Sequence, residues 1–74
     1  MRIIGQDDRV DIPYRLCSLE EGENDAGTYT IEAVVFTSRI FMGKYETEER
    51  AKEILQEIRE RYHIGTNFYV MPKE

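Results

Sequence analysis

A single cysteine, Cys17, excludes any disulfide within the chain. Cys17 and His63 are the only soft metal ligands, too few for a closed four-ligand zinc site. No apolar run approaches the roughly 20 residues that a membrane-spanning helix needs. Bases are outnumbered, ten against fifteen acids, and the net charge of −5 gives no basic surface for phosphate backbones. Neither a Walker-type loop nor a dinucleotide fingerprint is present, so no nucleotide cofactor is expected. Partners of the nucleic-acid and membrane classes are therefore not expected either. A free cysteine without a cystine pattern, behind an N-terminus that reaches charge too early for a secretory signal, points to a reducing cytoplasm.

What is present is enough apolar and aromatic residue to fold. Hydrophobic side chains make up 41% of the 74 residues, against 34% charged, which argues against disorder. The length suits one domain, residues 1–74, near the lower limit for a self-sufficient core. Domains of this size usually need a staple. With disulfides and zinc set aside, dense packing or association with another chain remains.

Hydrophobic periodicity and turn chemistry divide the chain. Arg2–Gln6 and Arg9–Ile12 read as short strands around a tight Asp7-Asp8 turn, with Pro13 as a stop. Tyr14–Leu19 reads as a third strand and Gly22–Gly27 as a solvated loop. Tyr29–Phe36 has the strongest strand composition. Thr37-Ser38-Arg39 is the expected reversal, and Ile40–Tyr45 pairs back. Ala51, Ile54, Leu55, Ile58 and Tyr62 form one stripe at helical spacing. Thr47 is the expected N-cap, Glu48 and Glu49 suit the positive end of the helix dipole, and Gly65 suits the C′ position. Glu48–Lys52 and Glu57–Arg61 are favourable i,i+4 pairs. Asn67–Met71 closes the chain as a last strand. The expected fold is α+β: a mainly antiparallel sheet of about five to six short strands, with one amphipathic helix from Thr47 to His63 on one face. Ile54, Leu55 and Ile58 are the expected inner stripe.

Catalytic constellations are sparse. Cys17 and His63 are the only residues able to form a thiol–base dyad. The simpler reading makes Cys17 a small apolar strand residue and His63 a polar residue at a helix end. Asp7, Asp8 and Asp11 lack calcium-loop spacing, and turn formation accounts for the first two. No catalytic, cofactor or metal residue is assigned.

The informative surplus is apolar. Alternation along Tyr29–Phe36 sends Val34 and Phe36 to the face opposite Ile31, Ala33 and Val35. On Ile40–Tyr45 the same rule sends Phe41 and Tyr45 away from Ile40 and Met42. One helix covers one sheet face only. The second is covered either by the N-terminal hairpin or by a partner chain. Val34, Phe36, Phe41 and Tyr45 are the candidate interface, and a symmetric homodimer or another protein is the expected partner. An acidic inhibitor mimicking nucleic acid is the alternative. Its acids would have to form regular rows, whereas Glu20, Glu21, Glu23 and Asp25 cluster in one stretch.

Met1-Arg2-Ile3-Ile4-x-Gln6-Asp7, with Val10-Asp11-Ile12-Pro13-Tyr14, resembles the opening of a family of short uncharacterised proteins from Firmicutes and their prophages. Met42-Gly43-Lys44-Tyr45-x-Thr47-Glu48-Glu49-Arg50-Ala51 resembles that family's strand-to-helix junction, and Asn67-Phe68-Tyr69-Val70-Met71-Pro72 its tail. Asp8 stands where the family often has Gly. The resemblance implies a shared fold and a phage-linked or Gram-positive setting, and no activity.

Overall fold

The computed structural model describes residues Met1–Glu74. In chain order the elements are β1 (Arg2–Ile4), β2 (Asp11–Pro13), a 3-10 turn (Tyr14–Leu16), β3 (Ser18–Glu23), β4 (Tyr29–Val35), β5 (Ser38–Tyr45), α1 (Glu48–His63) and β6 (Phe68–Val70). The class is α+β, but the strands do not share one sheet. They form two three-stranded sheets, ordered β2-β1-β6 and β3-β4-β5. One local and one long-range feature divide them. The 3-10 turn at Tyr14–Leu16 replaces the start of the expected third strand and redirects the chain. The closing strand then pairs in parallel with β1, placing Arg2 opposite Phe68, Ile3 opposite Tyr69 and Ile4 opposite Val70. The β3-β4-β5 meander is antiparallel throughout.

The first hairpin is wider than a two-residue turn, since Ile4 pairs with Asp11. Asp8 holds φ +64, a left-handed conformation that Asp tolerates better than most residues. The Asp7 carboxylate accepts from the Arg9 backbone N–H at 3.0 Å, as Asx turns do. Asp11 instead pairs with Arg2 at 2.6 Å.

Helix α1 begins and ends where its capping residues dictate. Thr47 Oγ1 accepts from the Arg50 N–H at 3.1 Å. At the other end Gly65 has φ +84, the Gly65 N–H donates to Tyr62 O at 3.1 Å, and the Thr66 N–H donates to Arg61 O at 3.0 Å. That pair of bonds is a Schellman motif. Ala51, Ile54 and Ile58 are fully buried and pack on β3, β4 and β5. Leu55 is only half-buried, because the 3-10 turn and α1 do not close over it. Glu48 and Lys52 pair at 2.8 Å. Glu57 does not pair with Arg61: its carboxylate accepts from the Tyr69 hydroxyl at 2.8 Å.

Eleven residues make the core: Ile3 and Ile12 from the first hairpin, Ile31 and Ala33 from β4, Met42 and Tyr45 from β5, the three helix residues, and Tyr69 and Met71 from the closing segment. Each fully buried Ile contributes about 1.5–3 kcal/mol. Gln6 fastens the two sheets together. Its backbone N–H donates to Met42 O at 2.7 Å, and its side-chain oxygen accepts from the Lys44 N–H at 2.9 Å. Its side-chain amide nitrogen lies 3.2 Å from Lys44 O and 2.9 Å from both Pro72 O and Lys73 O. The Tyr45 hydroxyl donates to Pro72 O at 2.7 Å, so the C-terminal segment is held from two directions.

Candidate protein interaction surface

The meander has one covered face and one open face. Toward α1 it presents Leu19, Ile31, Ala33, Ile40 and Met42. Away from α1 it presents Glu20, Glu32, Val34, Arg39 and Phe41, with Val34 opposite Arg39 and Glu32 opposite Phe41. The first hairpin packs on the covered side instead, where its Ile3 and Ile12 join Ile31, Ala33 and Met42 in the core. Phe41 remains 45% exposed.

Phe36 occupies the β4–β5 turn rather than a strand face. The closing pair is Val35 with Ser38, so the turn consists of Phe36 and Thr37, one residue earlier than the composition suggests. Phe36 holds φ +56 and is 97% exposed. Two-residue hairpin turns require a positive φ at their first central position, where glycine is the usual occupant. A bulky residue there is a conformational outlier. The turn therefore carries backbone strain and unburied apolar area on one side chain.

Tyr45 does not join Val34, Phe36 and Phe41. It is 2% exposed and belongs to the core. The cause is a β-bulge: Ile31 pairs with Gly43 and Glu32 with Phe41, leaving Met42 as the extra residue. A bulge resets the alternation of side chains. Tyr45 thus faces inward with Met42 and lies over Gly43, where an added Cβ would stand 2.9 Å from the Tyr45 hydroxyl. Burial pushes the Tyr45 phenol up to about 12, with Arg50 opposing.

The acids on the open face are interleaved with a base. Arg39 Nη1 lies 2.9 Å from a Glu20 carboxylate oxygen and 3.5 Å from one of Glu32. These bonds hold Arg39 across three strands, with Phe41 and Val34 on either side. Elsewhere Lys52 stands against Glu48.

A second apolar patch was not singled out by pattern alone. On the outer face of the β2-β1-β6 sheet lie Ile4, Phe68 and Val70, the last two 60% and 54% exposed. Strand alternation does give Phe68 and Val70 to one face, but only the parallel pairing with β1 puts Ile4 beside them.

Two concave regions accompany these surfaces. One, of about 420 Å³, lies between the 3-10 turn, the start of β3 and α1. Cys17 and Tyr62 line it; His63, exposed at the end of the helix, does not. Burial raises the Cys17 thiol above its ordinary value, which keeps it protonated near neutral pH. Its Sγ lies 3.6 Å from Tyr14 O, and no His, Asp or Glu lines the groove with it. The other, of about 640 Å³, is lined by Lys44, Arg50 and Lys73 together with Glu46 and Glu74, charges that largely offset one another. No group of three His, Cys, Asp or Glu side chains is arranged to hold a metal ion. No helix is long and apolar enough to cross a membrane. Comparison with protein-family models, curated protein sequences and solved structures gave no match.

Proposed function

We propose that this chain is a non-enzymatic protein-interaction module that pairs with a second copy of itself through the tip and open face of the β4–β5 hairpin. The observation that supports this reading most is Phe36. Strain of this kind persists where the surrounding structure enforces it, and it clusters at functional positions. Nothing in the monomer is gained by an aromatic ring that is 97% exposed. Val34 and Phe41 extend the same apolar surface, and the Glu20–Arg39–Glu32 array supplies both charge signs around it. Two-fold pairing places each such contact twice in the interface. The free cysteine fits a reducing cytoplasm, and the resemblance of the opening and closing motifs to Firmicutes and prophage proteins fits a bacterial or phage setting.

Sedimentation velocity across a range of concentrations tests the proposal. Wild type should sediment as a dimer, Phe36→Glu as a folded monomer, and Phe68→Glu as a dimer. A monomeric wild type, or loss of the dimer with Phe68→Glu and not with Phe36→Glu, would remove the hairpin face from the reading.

A further inference from the structure

The groove between α1 and the 3-10 turn has a composition unlike the rest of the surface. Half-buried Leu19 and Leu55 line it, with the protonated Cys17 thiol beside them. One wall is an aromatic pair: Tyr14 and Tyr62 have ring centroids 4.5 Å apart with planes inclined by 34°. Arg15 and Arg59 line the same groove, and no acid does. In a chain with fifteen acids and ten bases, this is a local reversal of sign.

The two arginines are also unspent. Arg2, Arg39, Arg50, Lys52 and Lys73 each have a carboxylate within 4 Å. Arg15 and Arg59 have none; the only side-chain bond of Arg59 is to Gln56 Oε1 at 3.3 Å. Arg9, Lys44 and Arg61 are likewise unpaired, but none of them lines this groove. A guanidinium presents a planar fork of donors that matches carboxylate or phosphate oxygens. Aromatic rings beside aliphatic side chains accept a flat apolar body.

We propose that this groove binds a small amphipathic anion, with a flat apolar body against Tyr14, Tyr62, Leu19 and Leu55 and a carboxylate or phosphate held by Arg15 and Arg59. The volume of about 420 Å³ falls in the small-molecule range of roughly 300–1,000 Å³. The site lies on the opposite side of the meander from the proposed pairing face, because α1 covers the inner face. It is therefore independent of the pairing reading.

The test is a titration of the whole chain with 2-naphthoate, 2-naphthyl phosphate and the neutral 2-naphthylmethanol, followed by amide chemical shifts. Saturable shifts centred on Tyr14–Leu19 and Leu55–Tyr62 are expected. One or both anions should bind about tenfold or more tightly than the alcohol, as charge-assisted bonds to guanidinium imply. The tighter of the two anions identifies the head group. Arg15→Gln/Arg59→Gln should abolish that preference while leaving the melting temperature unchanged, since both side chains are exposed. Equal affinities for anion and alcohol would overturn the proposal. So would shifts centred on Phe36, Phe41 or Phe68, a preference that survives the double substitution, or no saturation by either anion.

Discussion

Phe36→Gly should stabilise the monomer and abolish pairing, two effects of opposite sign from one substitution. The monomer term follows from the backbone. At φ +56 a residue with a Cβ sits in the left-handed region at a cost of roughly 1–2 kcal/mol, which glycine does not incur. Against this, glycine makes the unfolded chain more flexible, which offsets about 0.4–1 kcal/mol. Packing adds almost nothing, because the side chain is 97% exposed. The net is a gain of roughly 0 to 1.5 kcal/mol, and each kcal/mol raises the melting temperature of a domain this size by about 4–8 °C. The pairing term has the other sign. Losing a buried Phe from each copy removes roughly 3–6 kcal/mol from the dimer, or about two to four decades in dissociation constant. Melts in dilute solution, where wild type is monomeric, measure the first quantity; sedimentation equilibrium measures the second. Phe36→Ala serves as the comparison, since it removes the ring and keeps the strain. If Phe36→Gly lowers monomer stability by the roughly 3–5 kcal/mol typical of a core Phe, the turn has been misread. If pairing survives the loss of the ring, its role there is refuted.

Burial separates two neighbouring helix residues: Ile58→Ala should cost about 2–5 kcal/mol by urea melts and could unfold a domain of about 3–5 kcal/mol total, whereas half-buried Leu55→Ala should cost clearly less. Alkaline titration should destabilise the fold. The buried Tyr45 phenol, raised from 10.0 to about 12, is protonated in the native state over a range where the unfolded chain has released its proton. Its contribution is fully present below pH 10 and is lost as pH rises toward 12, a loss that Tyr45→Phe should reduce in melts at fixed ionic strength. Tyr69, also raised by burial and by its bond to Glu57, adds to the same trend. Gly65→Ala should lower stability by up to about 1.5 kcal/mol, the strain of a Cβ at positive φ less the flexibility that glycine gives the unfolded chain. At φ +84 its added Cβ would meet no atom within 4 Å, so circular dichroism should show α1 retained at low temperature.

Helix α1 was the most legible element, because its stripe, N-cap and C′ glycine all encode the same boundaries. The surplus of apolar strand residues was legible too, and Phe36 and Phe41 do stand exposed. The face of Tyr45 was not. Strict alternation assigns it outward, and a single extra residue at Met42 reverses the assignment. Gly43 was the available signal, since a glycine inside a strand often marks a bulge or a close approach. The division into two sheets depends on a parallel pairing between residues near opposite ends of the chain, which periodicity within a segment does not report. The strain at Phe36 runs against local preference, so propensity points away from it. Arg15 and Arg59 meet in one groove only through tertiary packing, and neither carries a local motif.

The parallel pairing of β1 with β6 also orders events in time. Ile3 has no strand partner on its β6 side until Tyr69 exists, and Gln6 cannot fasten Pro72 and Lys73 until the ribosome has added them. The meander can condense first, from hairpins and local contacts. The first strand must wait with one edge open. Closing a loop of some sixty residues adds an entropic barrier, and long-range parallel pairing of this kind is slow to form. Until β6 pairs with it, Ile3-Ile4 presents an open apolar β-edge, the kind of segment that chaperones and other strands capture.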